Sequence, residues 1–319
     1  MRLRFFLACC LLLSMNAMAQ SWPAKPVRVI VTFSPGGSSD IVARLVAIPL
    51  QAELGQSIIV DNKPGAGGTI GALEAAGAPP DGYTLMLSNS APISISPAMQ
   101  DQPRYDPVKA FTHVAYIGSV ANVFVIHPSV PAKNMNELVA WIKAEKNPVN
   151  YGSGGIGSIG HLLGETMKKD FGLRMEHVGY KGSSPMHNDL LSGTIKLAID
   201  TLPQNVPFMK DGKLRALAVT SPTRAPMAPE VPSVQELGQR KLLAENFLGI
   251  SGPAGLPREV VARIHAANKK ALADPKVAQR LAELGVQSRD MTPGEFTAFV
   301  TAQVKDWQQP VKDSGAKLN

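Results

Sequence analysis

Residues Val27 to Arg44 read VRVIVTFSPGGSSDIVAR, an apolar run that passes through two glycines and two serines directly into a helical pattern. A strand that hands over to a helix through so short a turn belongs in an α/β sheet covered by helices. The turn also has chemical consequences. The first N–H groups of a helix lack partners and the aligned peptide dipoles add roughly half a positive charge, so a small anion placed there is well satisfied. Glycines let it approach the backbone, and serines add hydroxyl donors. The same residues would also serve as a flexible turn with an ordinary N-cap serine, and this motif alone does not choose between the two. Asp40 falls in the first helical turn, where its charge complements the dipole, and is expected to order the loop.

Three further turns are built in the same way. The strand Val149 to Tyr151 enters SGGIGSIGHLLGE; HVGYKGSSPMHNDLLSG offers Ser184 as cap and Pro185 as first helical residue; and in LAIDTLPQNVPF, Asp200 ends an apolar strand before Thr201-Leu202-Pro203 opens a helix. Other strands are expected at Ser57 to Val60, Tyr83 to Ser88, Leu214 to Thr220 and Phe247 to Gly252. Asn134 with Glu137, Asp274-Pro275 and Thr292 with Glu295 mark helix starts. Trp141 is read as core. The length suggests two domains. His113 to Pro128 is a long extended stretch, and a chain crossing near residue 122 and returning near 247 would give two lobes joined by two strands: residues 20–122 with 247–319, and residues 123–246.

The first nineteen residues read as a secretory signal: Arg2 and Arg4 precede the apolar run Phe5 to Leu13, which closes on Ala17-Met18-Ala19. Cleavage is expected after Ala19, giving a periplasmic protein. Cys9 follows Ala8 as in a lipid-attachment site, but the apolar run continues behind it, which fits that processing poorly. Cys9 and Cys10 are the only cysteines, so the mature chain would hold together by its core alone. The full sequence has a formal charge of +7, which falls to +5 when Arg2 and Arg4 leave with the signal, and the positive residues are scattered rather than run together, which argues against nucleic-acid binding. Aromatics at 6% argue against a stacked-ring sugar platform.

Enzymatic readings find little support. Gly152, Gly154 and Gly157 have dinucleotide-binding spacing, with Glu176 near the place of a ribose acid, but an exported protein lies outside the compartment that supplies NAD. Neither glycine loop has a Walker lysine, no G-x-S-x-G elbow occurs, and His161 with Glu165 lacks a third ligand for a metal. No catalytic residue, cofactor or metal is expected. His161 is the one base near a cradle and reads better as a hydrogen-bond donor. Asp200, an acid at the carboxyl end of a buried strand, is placed for contact with a ligand or bound water, with helix capping as its alternative.

Taken together, KPVRVIVTFSPGGSSDIVAR from Lys25, VDNKPGAGGTIGA from Val60, APPDGYTLML from Ala78, NYGSGGIGSIGHLLGE from Asn150, HVGYKGSSP from His177, DLLSGTIKLAID from Asp189, GKLRALAVTS from Gly212 and GPAGLPREVVARI from Gly252 resemble the bacterial tripartite tricarboxylate transporter solute receptors, the Bug family. The resemblance covers residues 22 to 317. It implies a type II periplasmic binding protein fold: two lobes with mixed, mainly parallel sheets, joined by two crossover strands and closing on a ligand. It implies a small organic carboxylate in the cleft, whether a mono-, di- or tricarboxylate, an aromatic acid or an acidic amino acid. The site residues it points to are Phe33, Gly37, Ser38, Ser39, Ser88 and Ser90 on one lobe and Ser153, Gly155, Ser158, Tyr180 and Asp200 on the other; His161, read above as a donor, is expected to join the ligand-binding set. Where relatives bind amino acids, the acid matching Asp200 is a candidate for the ammonium. The expected partner of this monomer is a two-component membrane permease; a signalling partner and an exported enzyme acting on a carboxylic acid are the alternatives. Ser34 stands where relatives commonly carry proline, and Ile93 to Ser96 departs from their asparagine-proline step, so the contacts at the cleft mouth transfer least. Arg104 has no assigned place in the cleft.

Overall fold

The structure, a computed structural model, describes residues 22–318; the expected signal segment, its cleavage after Ala19 and both cysteines lie outside them. β1 (Val27–Val31) is almost wholly buried and lies between two parallel partners, β2 (Ile58–Asn62) and β3 (Thr84–Asn89). Side chains buried on both faces of a strand require helices on both faces of the sheet. α1 (Ser38–Leu54) follows β1, and α2 (Thr69–Ala76) follows β2.

β4 (Phe111–Ile126) organises the rest. Over Phe111 to Ala121 it pairs antiparallel with β9 (Glu245–Pro253), which in turn pairs with β3. From Asn122 onward it pairs instead with β7 (Leu197–Thr201) and β8 (Arg215–Val219). β7 continues to β5 (Val149–Ser153) and β6 (Met175–Gly179), both in parallel pairings. The nine strands therefore run β2-β1-β3-β9-β4-β7-β5-β6, with β8 also on β4. The chain passes between the two halves of this array along β4 and again where β9 begins.

In the second half, α3 (Met135–Ala144), α4 (Ile159–Phe171), α5 (Ser183–Leu191) and α6 (Leu202–Lys210) cover the strands. Asn134 accepts from the Glu137 N–H at 2.9 Å, and Trp141 packs partly buried on the cluster that contains Tyr151, Leu163 and Ile199. α5 departs from the sequence expectation. It starts at Ser183 with Gly182 at φ 123° in the cap position, which puts Pro185 at the third helical residue. Ser184 is drawn to the facing loop, where its hydroxyl donates to the Pro35 carbonyl at 3.3 Å.

After β9, α7 (Arg258–Ala273) returns to the first half, α8 (Pro275–Glu283) is capped by Asp274, and α9 (Pro293–Ser314) starts with a complete Thr292–Glu295 capping box. Phe296 and Val300 of α9 pack in the first half with Phe111 and Phe247. Its far end does something else: Val311 and Ala316 join the Tyr151 cluster of the second half, and the Leu318 N–H bonds the Met99 carbonyl at 3.1 Å. The C-terminal segment thus touches both halves.

Candidate binding site

Four helices aim their N-termini at one cavity between the halves. Its wall includes Gly37, Ser38 and Ser39 at the start of α1, Ser158, Ile159 and Gly160 at α4, Gly182 and Ser183 at α5, and Asp200 and Thr201 before α6. Phe33, Asn89, Ala91, Asn122, Gly154, Ile199 and Asn246 complete it. Water-sized molecules have about 60 Å³ there, room for several waters or one small acid.

Each terminus arrives at the cavity because a parallel strand points its carboxyl end there and the next helix runs back antiparallel, as in other α/β sheets. The cap positions of α1, α5 and α6 are Gly37, Gly182 and Thr201, and none makes a side-chain cap bond. Only α4 has one, where Ser158 accepts from the His161 N–H at 3.3 Å. Uncapped helix N–H groups facing a cavity call for an acceptor from outside the chain. Asn122 adds to that demand: it is 3% exposed, it lines the cavity, and its amide nitrogen has no hydrogen-bond partner. No lysine or arginine appears among the described lining residues, so positive potential comes from backbone dipoles.

Two buried acids stand beside the cavity, each occupied by its own neighbours. Asp40 accepts from the Gly36 N–H at 2.9 Å, from Arg44 Nε at 3.0 Å and from Asn62 Nδ2 at 3.0 Å. Burial pushes its carboxyl up, but the bonds from Arg44, Gly36 and Asn62 outweigh this and hold it below the usual range. These contacts tie the glycine turn to the α1 start. Asp200 lines the cavity, yet its oxygens accept from Ser183 Oγ at 2.7 Å and Asn205 Nδ2 at 3.1 Å, with His187 Nε2 lying 3.3 Å away. Its carboxylate organises the starts of α5 and α6.

Of the residues singled out in the sequence, Phe33, Gly37, Ser38, Ser39, Ser158 and Asp200 line the cavity. Six others lie behind the wall. Ser88 Oγ accepts from Ser251 at 3.0 Å, and Ser90 Oγ donates to the Glu245 carbonyl at 3.3 Å while accepting from the Phe247 N–H at 3.0 Å. Ser153 sits beneath Ser158, their hydroxyls 3.1 Å apart, and the Gly155 carbonyl accepts from Ser153 Oγ at 3.1 Å. His161 Nδ1 accepts from the Gly157 N–H at 3.2 Å, with its ring stacked 4.0 Å from that of His177. Tyr180 turns away to donate to Asp189 at 2.6 Å. Asn89, Asn122 and Asn246 went unread in the sequence, although a lone amide in or beside an apolar strand is the signal that marks each.

Contacts from both halves close the rim. Ser34 Oγ donates to the Lys181 carbonyl, and Gln204 Nε2 donates to the Gly36 carbonyl at 2.7 Å. Ser96 Oγ reaches both the Gly67 carbonyl, at 2.9 Å, and the Gly157 carbonyl, at 3.2 Å. Ser34 and Ser96 are thus both rim contacts. Arg104 is exposed and is not among the lining residues.

The chain belongs to the family described as tripartite tricarboxylate transporter family receptor, whose model matches residues 42–316. Protein BugT of Bordetella pertussis is 33% identical over 301 residues, covering 94% of this chain and 92% of BugT. A solved periplasmic transporter superposes with a TM-score of 0.89 at 40% identity, covering 94% of this chain and all of that one. The structure of R. palustris Rpa4515 with adipate superposes with a TM-score of 0.88 at 31% identity, covering 93% and 99% of the two chains. The fold is the type II periplasmic binding protein fold, and the family is one of solute receptors rather than enzymes.

Proposed function

We propose that this receptor captures a small organic carboxylate between its two halves and delivers it to a tripartite tricarboxylate-type membrane permease. The observation that carries this reading is the convergence of four helix N-termini, three of them without side-chain caps, on a cavity lined by no basic side chain. Hydrogen bonds to a charged group contribute about 1.5–3 kcal/mol each, so two or three such bonds from each side sum to about 6–18 kcal/mol. At its upper end this offsets an association cost of about 4 kcal/mol or more and leaves the roughly 8 kcal/mol of micromolar binding. The adipate held by the R. palustris relative belongs to the same ligand class.

In this reading Phe33, Gly37, Ser38 and Ser39 form one jaw, and Ser158 with its neighbouring amides forms the other. Asn122 supplies a further donor at the crossing strand, and Asp40 and Asp200 hold the jaws in shape. The lobes are residues 20–122 with 247–319 and residues 123–246, crossing near residues 122 and 247, with the end of α9 bridging them. The chain is exported to the periplasm with cleavage after Ala19 and acts as a monomer. A thermal-shift screen over mono-, di- and tricarboxylates, aromatic acids and acidic amino acids tests the proposal. At least one acid should raise Tm by several degrees. Stabilisation by sugars or cations and by no acid would overturn it.

A further inference from the structure

A second cavity lies between the halves, beside the first. Water-sized molecules have about 350 Å³ there, and much of its wall is apolar: Ile41 and Val42 of α1, Val120 of β4, Pro207 and Phe208 of α6, and Leu284 after α8. Arg280, the charged side chain in this wall, is already paired with Glu283 at 2.8 Å, so what the cavity offers is apolar contact. Ser38 belongs to the walls of both cavities. Two links divide them elsewhere. Buried His187, in the second wall, stands 3.3 Å from buried Asp200 in the first. Gln204, also in the second wall, donates from Nε2 to the Gly36 carbonyl at 2.7 Å and accepts at Oε1 from Thr201 Oγ1 of the first wall at 2.6 Å. Its amide therefore bars the seam between the glycine turn of one half and the start of α6 on the other. Ser38 and Asp200 are fixed at helix starts, whereas Gln204 is half-buried and held across the seam by those two side-chain bonds.

We propose that Gln204 sets the length limit of the ligand, so that the receptor selects short-chain carboxylates and rejects acids whose tails would enter the apolar cavity. The inference rests on the proposed carboxylate site and narrows its substrate class. The first cavity, at about 60 Å³, holds a carboxylate with a short chain behind it. To admit a longer tail, Gln204 must give up both its bonds, leaving the Gly36 carbonyl and the Thr201 hydroxyl beside an apolar chain that cannot pair with them. With the amide removed, that cost disappears and the tail gains the apolar wall beyond. Each buried CH₂ is worth about fourfold in affinity, so the three by which hexanoate exceeds propionate are worth up to about sixtyfold.

Titration calorimetry with propionate and hexanoate tests it on three proteins. The parent should bind propionate more tightly than hexanoate. Gln204→Ala opens the seam and should raise the hexanoate-to-propionate affinity ratio at least tenfold. The ratio is the readout because the lost contact with Gly36 weakens closure on both acids alike. Gln204→Met keeps the bulk and loses both bonds, so its ratio should stay within about threefold of the parent even where both affinities fall. The variants are first checked for a native circular dichroism spectrum and a cooperative melt, and Gln204→Ser, also too short to reach the turn, replaces the alanine variant if that one fails to fold. An alanine ratio within threefold of the parent, or a methionine ratio that rises as far as the alanine one, overturns the length limit while leaving the carboxylate site standing. If the parent takes neither acid, hexanoate binding by Gln204→Ala still supports the limit and its absence overturns it. Failure of the parent with every acid in the screen counts against the carboxylate reading itself.

Discussion

Ser158 occupies two positions at once, and substitution can separate them. Its hydroxyl caps α4 by accepting from the His161 N–H, and it also lines the cavity. Ser158→Ala removes both: loss of the cap costs about 1 kcal/mol of stability, and loss of one donor to a charged ligand costs about 1.5–3 kcal/mol of binding, or roughly 10- to 150-fold in Kd. Ser158→Asp keeps the cap, because aspartate is as good an N-cap as serine. It also sets a fixed negative charge against the bound carboxylate in a cavity with no basic side chain to offset it. Two like charges about 4 Å apart at an effective dielectric of about 20 repel by about 4 kcal/mol, close to a thousandfold in affinity. Titration calorimetry with the best acid from the screen, beside thermal melts, reads both quantities. The alanine variant should lose some stability and some affinity, and the aspartate variant should hold its Tm and lose nearly all affinity. Parental affinity in Ser158→Asp would refute the assignment of this helix start to the anion.

Asp40→Ala removes the acceptor for Gly36, Arg44 and Asn62 and should destabilise the protein by about 2–3 kcal/mol in denaturant melts, while loosening the first jaw enough to weaken binding. A Cβ on Gly67, at φ 60°, would stand 2.5 Å from the Ile156 carbonyl across the rim and would also press on Ser96 Oγ. Gly67→Ala should therefore hold the halves apart, read as a larger radius of gyration in X-ray scattering and a failure to compact when ligand is added. Burial and neighbouring positive groups depress His177 to about 3, and burial depresses His113 to about 4, from an ordinary 6.5. Between those values the unfolded chain takes up protons that the fold refuses. The stability they support is thus complete above pH 6.5 and falls as pH falls, by about 2 kcal/mol per histidine by about pH 5. Chemical denaturation at several pH values measures the slope, and a flat profile from pH 7 to 5 would contradict it.

Much of the fold is legible from local chemistry. Apolar runs ending in glycine turns become β1 and β5, and Asn134, Asp274 and Thr292 cap the helices that their spacing indicates. Less legible is which of two adjacent residues faces the cavity. Strand side chains alternate, so a one-residue uncertainty exchanges wall for core. Ser88 turns to Ser251 while Asn89 lines the cavity, and Ser90 turns to the β9 backbone while Ala91 lines it. The turn before α4 has the same ambiguity: Ser153 and Gly155 support the loop, and Gly154 and Ser158 face inward. Asn122 and Asn246 meet at the cavity only because β4 and β9 cross between the halves side by side, a long-range pairing that no local pattern encodes. The docking of Val311 and Ala316 on the second half is a tertiary contact of the same kind.

The most direct test is a crystal structure of the complex with the acid that gives the largest thermal shift. One carboxylate should lie within hydrogen-bond distance of the backbone N–H groups at Ser38–Ser39 and at Ile159–Gly160, with the Asn122 amide and Ser158 hydroxyl also donating and no lysine or arginine in contact. A carboxylate held instead by a basic side chain, or bound outside this cavity, would contradict the account.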